Sequence, residues 1–220
     1  MYGRAEEVTG DLVGEIGARG KTFLATKVWT TGREQGMAQM RRSSELLRAE
    51  VIDLMQIHNL VDWRTHLATL RHMKAEGRIR YIGITHYTPS AFDALARVIE
   101  AERDIDFVQL CYSIATPEAE ERLLPLAEAR GVAVLVNRPF EDGALLRWIR
   151  QRPLPALAAE LGCRNWAQFL LKYVLGHPAV TCVIPATANP DHMADNLAAG
   201  TGSLPDAALR HRMRALWEAA

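Results

Sequence analysis

Lys27, His58, His86, Gln109, Asn137 and Thr187 share one placement: each falls where a short apolar run hands over to a polar loop. A lysine closing a buried strand is costly without a partner, so it points to chemistry, as a cation or as an amine nucleophile. A histidine in that setting can donate a hydrogen bond or move a proton. The amides and the hydroxyl suit a polar ligand. In parallel α/β folds this end of the strands is where loops converge on one mouth and ligands sit.

The runs that carry these residues read FLATKVW from Phe23, VIDLMQIH from Val51, YIGITHY from Tyr81, FVQLCYS from Phe107, VAVLVNRPF from Val132 and VTCVIPAT from Val180. Between them lie segments of helical period. Residues 33–49 space Met37, Met40, Leu46 and Leu47 along one face, and residues 65–78 repeat the pattern with Leu67, Leu70 and Met73 before Gly77. Residues 90–102 and 117–131 predict two further helices, the second with Pro117 in its first turn. The longer interval before Val180 holds two short helices and one longer one. This alternation predicts parallel βαβ units with right-handed crossovers. A doubly wound dinucleotide fold would carry a glycine-rich fingerprint after its first strand, and WTTGREQG after Val28 lacks it. The expected fold class is therefore α/β, a (β/α)8 barrel of TIM type in one domain over residues 1–220. It is incomplete, with about six βα units.

Composition excludes several functions. The 220 residues are 49% hydrophobic and 24% charged, and 26 basic side chains balance 26 acidic ones. No net field draws nucleic acid or an anionic membrane, so neither is an expected partner. Arg210, Arg212 and Arg214 read as the solvated face of the last helix. Cys111, Cys163 and Cys182 are too far apart for a metal or redox pair and read as buried thiols. His58 and His86 lie on separate strands without a nearby acidic cluster, so no metal site is expected. No run approaches the ~18 apolar residues of a spanning helix, and the first thirty residues lack a signal-peptide core. As written, the chain is expected to be cytoplasmic, with an export leader ahead of residue 1 left open.

Read together, the short motifs resemble the aldo-keto reductases. They are Met1-Tyr2-Gly3-Arg4-Ala5-Glu6, Ala25-Thr26-Lys27, Gln56-Ile57-His58-Asn59, Gly83 to Tyr87 (similar to the family's G-V-S-N-F), and Gln109 to Ser113. Ile184-Pro185-Ala186-Thr187 and the segment from Asn189-Pro190 to Asp195-Asn196-Leu197 complete the set. The resemblance implies an eight-stranded barrel in which a nicotinamide cofactor delivers hydride to an aldehyde or ketone, the small-molecule partner. It implies Tyr2 as the general acid; a phenol near pKa ~10 is too weak an acid unaided, and Lys27 would lower it by favouring phenolate. His58 would orient the carbonyl and donate to its oxygen. Gln109 would hold the carboxamide, joined by Thr85 and His86. Asn137, Arg138 and Pro139 fall where a segment stacks on nicotinamide. Thr187, His192, Asp195 and Asn196 fall in the family's phosphate-binding segment.

The departures set further expectations. The family places an aspartate five residues before the tyrosine, a position that would precede Met1. The visible strands match family strands three to eight, so the chain is expected to be truncated at its N-terminus, with unpaired edges at FLATKVW and VTCVIPAT that invite association. Ala186 and His192 stand where many relatives carry a lysine and an arginine on the 2′-phosphate of NADP. NADPH is the expected cofactor, with NADH left open. Arg138 contacts phosphates or braces its loop, and both readings stand. Trp29 and Trp63 form a substrate wall or pack their loops; Tyr112 and Phe140 divide the same way. Two alternatives remain: a catalytically impaired barrel that binds nucleotide or a partner, and a Schiff-base aldolase using Lys27.

Overall fold

The structure, a computed structural model, describes residues 3–219. It comprises two compact units, Met1–His86 with Glu102–Val108, and Tyr87–Ala101 with Gln109–Ala220.

In the first unit α1 (Ala5–Glu15) precedes β1 (Ala25–Val28), α2 (Arg33–Leu46), β2 (Ile52–His58), α3 (Trp63–Ala75) and β3 (Ile79–Thr85). The strands pair in parallel in chain order, with Lys27 opposite Gln56 and His58 opposite Thr85. β2 lies between two neighbours and is buried at every position but His58, which is why its sequence is an unbroken apolar run apart from Asp53 and Gln56. Leu67, Leu70 and Met73 of α3 and Met40 of α2 fill the core, as their spacing predicts. Asp53, 1% exposed, is held by the Leu24 amide at 2.8 Å and by Arg19 and Arg80 at 3.2 and 2.9 Å. That compensated carboxylate fixes the approach to β1 against β2. The helix α1 is a feature that apolar spacing did not flag: its Val8 and Leu12, and Ile16 just past its end, are exposed. It seats instead through Gly10, where an added Cβ would stand 2.2 Å from the Leu46 carbonyl oxygen.

The second unit contains α4 (Phe92–Ala101), most of β4 (Phe107–Cys111), α5 (Leu123–Arg130) and β5 (Ala133–Asn137). There follow α6 (Ala144–Trp148), α7 (Leu157–Glu160), α8 (Trp166–Leu175), β6 (Val180–Val183), α9 (Pro190–Ala198) and α10 (Ala207–Glu218). β5 and β6 are parallel, with Val134 opposite Val180. The two short helices and one longer helix expected before Val180 are present.

Three sequence expectations are corrected. Residues 117–131 do not form one helix: a 3-10 turn at Glu118–Glu120 precedes α5. Pro125 is the cause. Its ring would clash with the carbonyl four residues earlier, so the helix restarts at Leu123 and leaves Pro125 in the first turn, where no N–H is needed. Arg210 is not on a solvated face but is 8% exposed. Its Nη2 lies 2.6 Å from Glu120 Oε1, which also accepts from the hydroxyls of Tyr112 at 2.5 Å and Tyr173 at 2.8 Å. Burial works against the Glu120 charge, but these donors hold its carboxyl below the ordinary range, while burial pushes Tyr112 strongly up. Finally, Cys111 and Cys163 are buried but Cys182 is exposed.

Replacing Arg210 with methionine strips the cation from a largely buried pair, so it is expected to cost about 3 kcal/mol in a guanidinium unfolding titration. Arg212, 57% exposed beside an equally exposed Glu160, is the control, with an expected change within about 0.5 kcal/mol. Equal shifts for the two variants would show that the buried knot contributes nothing special.

Candidate active site

The strand register of the first unit brings the expected basic residues to one end. Lys27 is the third residue of β1, His58 ends β2, Thr85 ends β3, and His86 follows it. Lys27 is half-buried, and burial lowers its pKa more than the nearby Glu6 carboxylate raises it. Glu6, on α1, accepts from Thr26 Oγ1 at 2.5 Å. Glu6 has no role that its sequence motif reveals; its carboxylate favours the charge of Lys27. His58 is lowered to about 4, first by burial, then by the charge of Lys27 and by His86. Burial also lowers His86. His58 is therefore neutral at pH 7. Tyr2 lies outside the described residues.

Loops frame this group. After β2, Asn59, Leu60 and Asp62 all have positive φ, at 53°, 55° and 44°. Three non-glycine residues in the left-handed region directly behind a candidate catalytic histidine mark a strained, over-determined turn. After β1, the Trp29 ring stands edge-on to His58 with centroids 5.3 Å apart and planes at 85°.

In the second unit Gln109 is buried on β4 and Asn137 ends β5. Arg138 has φ 52°, donates from Nη1 to the Tyr87 carbonyl at 3.2 Å, and pairs through Nη2 with Asp142 at 2.9 Å. That geometry braces the loop that continues through Pro139. Glu141, which sequence reasoning did not single out, accepts from Ser113 and Thr116 at 2.7 Å each.

A separate cleft of about 420 Å³ in this unit is lined by Thr187, His192, Asp195 and Asn196, with Arg150, Arg152 and Trp166 among the facing residues. Asn189 caps α9 by accepting from the Asp191 amide at 2.9 Å, with Pro190 in the first turn. Asp195 accepts from Asn165 and Gln168, both at 2.7 Å. Asn196 donates to the Pro185 carbonyl at 3.4 Å. Ala186 and His192 supply no fixed cation here, but the two arginines do, and Arg152 packs its guanidinium 3.8 Å from the Trp148 ring centroid. Neither arginine was picked out from the sequence.

Among the described residues no group of three or more His, Cys, Asp or Glu could hold a metal ion. No helix among them is long and apolar enough to cross a membrane.

This parallel strand-helix alternation, with a lysine and a histidine at neighbouring strand ends, meets its relatives in sequence. The chain belongs to the Aldo/keto reductase family, whose profile matches residues 1–211. An aldo-keto reductase of Mycolicibacterium smegmatis is 26% identical over 206 residues, covering 88% of this chain and 69% of its own. An uncharacterized oxidoreductase of Schizosaccharomyces pombe is 28% identical over 172 residues, which are 76% of this chain and 52% of that protein. The chain thus spans about half the length of the first curated relatives it matches. Among solved structures, the holo form of an aldo-keto reductase from Bacillus halodurans superposes with a TM-score of 0.76 at 25% identity, over 96% of this chain and 76% of that one. One from Klebsiella pneumoniae, solved in complex with NADP and acetate, gives 0.77 at 23%, over 97% and 75%. These are (β/α)8 barrels, and the six strands here follow that plan in part.

An NMR titration of the histidine ring protons should place the His58 midpoint near pH 4. Replacing Lys27 with methionine removes a cation that opposes protonation, so the midpoint should rise. Between the ordinary value of 6.5 and about 4 the unfolded chain binds the extra proton, so the contribution of His58 to stability is present above 6.5 and lost as pH falls through that window. A His58 midpoint unchanged by the Lys27 substitution would separate the two groups electrostatically.

Proposed function

We propose that the chain takes part in reducing an aldehyde or ketone with a nicotinamide cofactor. The observation that carries this reading is the neighbouring placement of Lys27 and His58 at strand ends, with His58 held neutral by burial and by the lysine's charge. His58 donates a hydrogen bond to the carbonyl oxygen, where negative charge develops. Tyr2 supplies the proton that completes the alcohol and is rebuilt from solvent. Lys27 favours the phenolate form and so makes that proton easier to give. Glu6 supplies a carboxylate near Lys27, offsetting part of its burial.

The cofactor, when bound, supplies a hydride to the carbonyl carbon. Residues of the second unit fit it. The cleft offers the Thr187 hydroxyl, the capped start of α9 and the Arg150 and Arg152 cations for phosphate, with Trp166 as an apolar wall. Gln109 and Asn137 offer amides for a carboxamide. Pro139 belongs to the segment proposed to pack on the ring. His192, Asp195 and Asn196 shape the cleft, the last two through bonds to their own neighbours. NADPH is favoured because two arginines reach the cleft, and the Klebsiella relative was solved with NADP.

A second reading has one observation behind it: a lysine whose pKa is lowered by burial is a better amine nucleophile, as a Schiff-base aldolase needs. The readings separate cleanly. Oxidation of NADPH at 340 nm with an aldehyde supports the reductase, and replacing Lys27 with methionine should then lower kcat/KM by about 10²–10⁴. Borohydride trapping of substrate on Lys27, without cofactor oxidation, would overturn it in favour of the aldolase. Dissociation constants for NADPH and NADH test the cofactor: NADPH should bind at least about tenfold tighter, a gap of about 1.4 kcal/mol.

A further inference from the structure

We propose that His66 is a positioning residue of the carbonyl site, holding the Trp29 indole beside His58 through the carbonyl of Thr30. The proposal rests on the reductase reading for its function, while the hold itself is a property of the first unit alone.

The loop after β1 is anchored at three successive points. The Trp29 amide donates to Gln39 Oε1 at 2.8 Å, the Thr30 carbonyl accepts from His66 Nε2 at 2.7 Å, and the Gly32 amide donates to Asp62 Oδ2 at 2.8 Å. Gln39 comes from α2, His66 from α3, and Asp62 is the N-cap of α3. His66 is fully buried. A carbonyl oxygen can only accept, so Nε2 carries a proton and donates it to Thr30. Nδ1 has no hydrogen-bond partner among the described residues. It faces Gly36 of α2, where an added Cβ would stand 2.5 Å from Cε1 and 2.7 Å from Nδ1.

Packing alone does not explain this ring. A leucine would fill comparable space and leave no buried nitrogen unsatisfied, which is a net cost of the imidazole. α2 also forgoes a side chain at Gly36, against helix propensity, to admit it. What the imidazole adds is a single N–H aimed at the loop backbone one residue beyond Trp29. That residue is large, apolar and 49% exposed, and its ring lies edge-on to His58. A fixed indole next to the group assigned to the carbonyl oxygen is a flat apolar wall. The site is thereby preorganised for carbonyl compounds whose substituent is flat and apolar, an aromatic aldehyde above a short aliphatic one.

The test uses the full chain labelled with 5-fluorotryptophan, with the Trp29 fluorine resonance assigned by Trp29→Phe. His66→Leu removes the donor, Gly36→Ala displaces the ring while improving helix propensity, and His66→Gln retains an N–H that can reach Thr30. In the first two variants the Trp29 resonance is expected to move toward its unfolded-state position while the other four tryptophan resonances stay, which also shows that the fold persists. His66→Gln should keep it near the wild-type position. With NADPH, kcat/KM for benzaldehyde should fall about tenfold in His66→Leu, through KM, while that for propanal changes by less than about twofold. A Trp29 resonance unmoved by both His66→Leu and Gly36→Ala, or moved as far by His66→Gln, overturns the proposal, as does an equal loss on both aldehydes. If the wild-type chain reduces neither aldehyde, the reductase reading falls, and the resonance alone decides whether His66 holds Trp29.

Discussion

Burial of ionisable groups at the ends of parallel strands is the constraint on which the rest of the first unit depends. A parallel strand has no inexpensive place for a lysine withdrawn from water, yet Lys27 sits half-buried in β1 and His58 closes the buried run of β2. Burial lowers the pKa of both, and the Lys27 charge lowers His58 further. Two bases that would each accept a proton near a surface are thus made to differ: a lysine whose charge Glu6 favours against burial, and a histidine kept neutral. Separation of roles by environment, rather than by residue type, is what acid-base chemistry at one site requires.

The second unit meets the same problem with the opposite outcome. Glu120 is largely withdrawn from water but has three donors, Tyr112, Tyr173 and Arg210, on one oxygen. Its charge is satisfied, and the hydroxyls that satisfy it are pushed away from ionisation. A fully satisfied knot of this kind specifies packing rather than chemistry. It ties α10 to α8 and to the turn before α5, which is why an arginine in a basic-looking stretch of the last helix belongs to the core.

The contrast explains what could be read from the sequence. Parallel strands appear as apolar runs, and a polar residue in or at the end of one is conspicuous, so Lys27, His58 and Asn137 were visible at once, as was Gln109, which stands in the middle of β4 rather than at its end. Partners far apart in the chain were not. Arg210 and Glu120 are separated by 90 positions, and no local pattern joins them. The same holds for His66 and Thr30, 36 apart. Glu6 and Thr26, 20 positions apart, are likewise joined only by the fold of α1 against β1. The break at Pro125 was legible in principle, since a proline three residues into a leucine-rich stretch permits a helix only from that point on. Left-handed residues such as Leu60 leave no trace, because leucine has no preference for that region and adopts it under tertiary constraint.

That strain is informative about how the site is held. Asn59, Leu60 and Asp62 each adopt a conformation that costs an L-residue roughly 1–2 kcal/mol, immediately after His58. Such a turn persists only where other bonds over-determine it. Asp62 supplies one of them: its backbone starts α3 in the left-handed region while its carboxylate holds the Gly32 amide of the neighbouring loop, with the carboxyl pKa lowered first by that bond and then by Thr65. The loop behind Trp29 and the turn behind His58 therefore share an anchor, and neither can relax without disturbing the other. Two adjacent strand ends then behave as one rigid edge, with the histidine and the indole fixed in mutual register by α3 rather than by the strands alone.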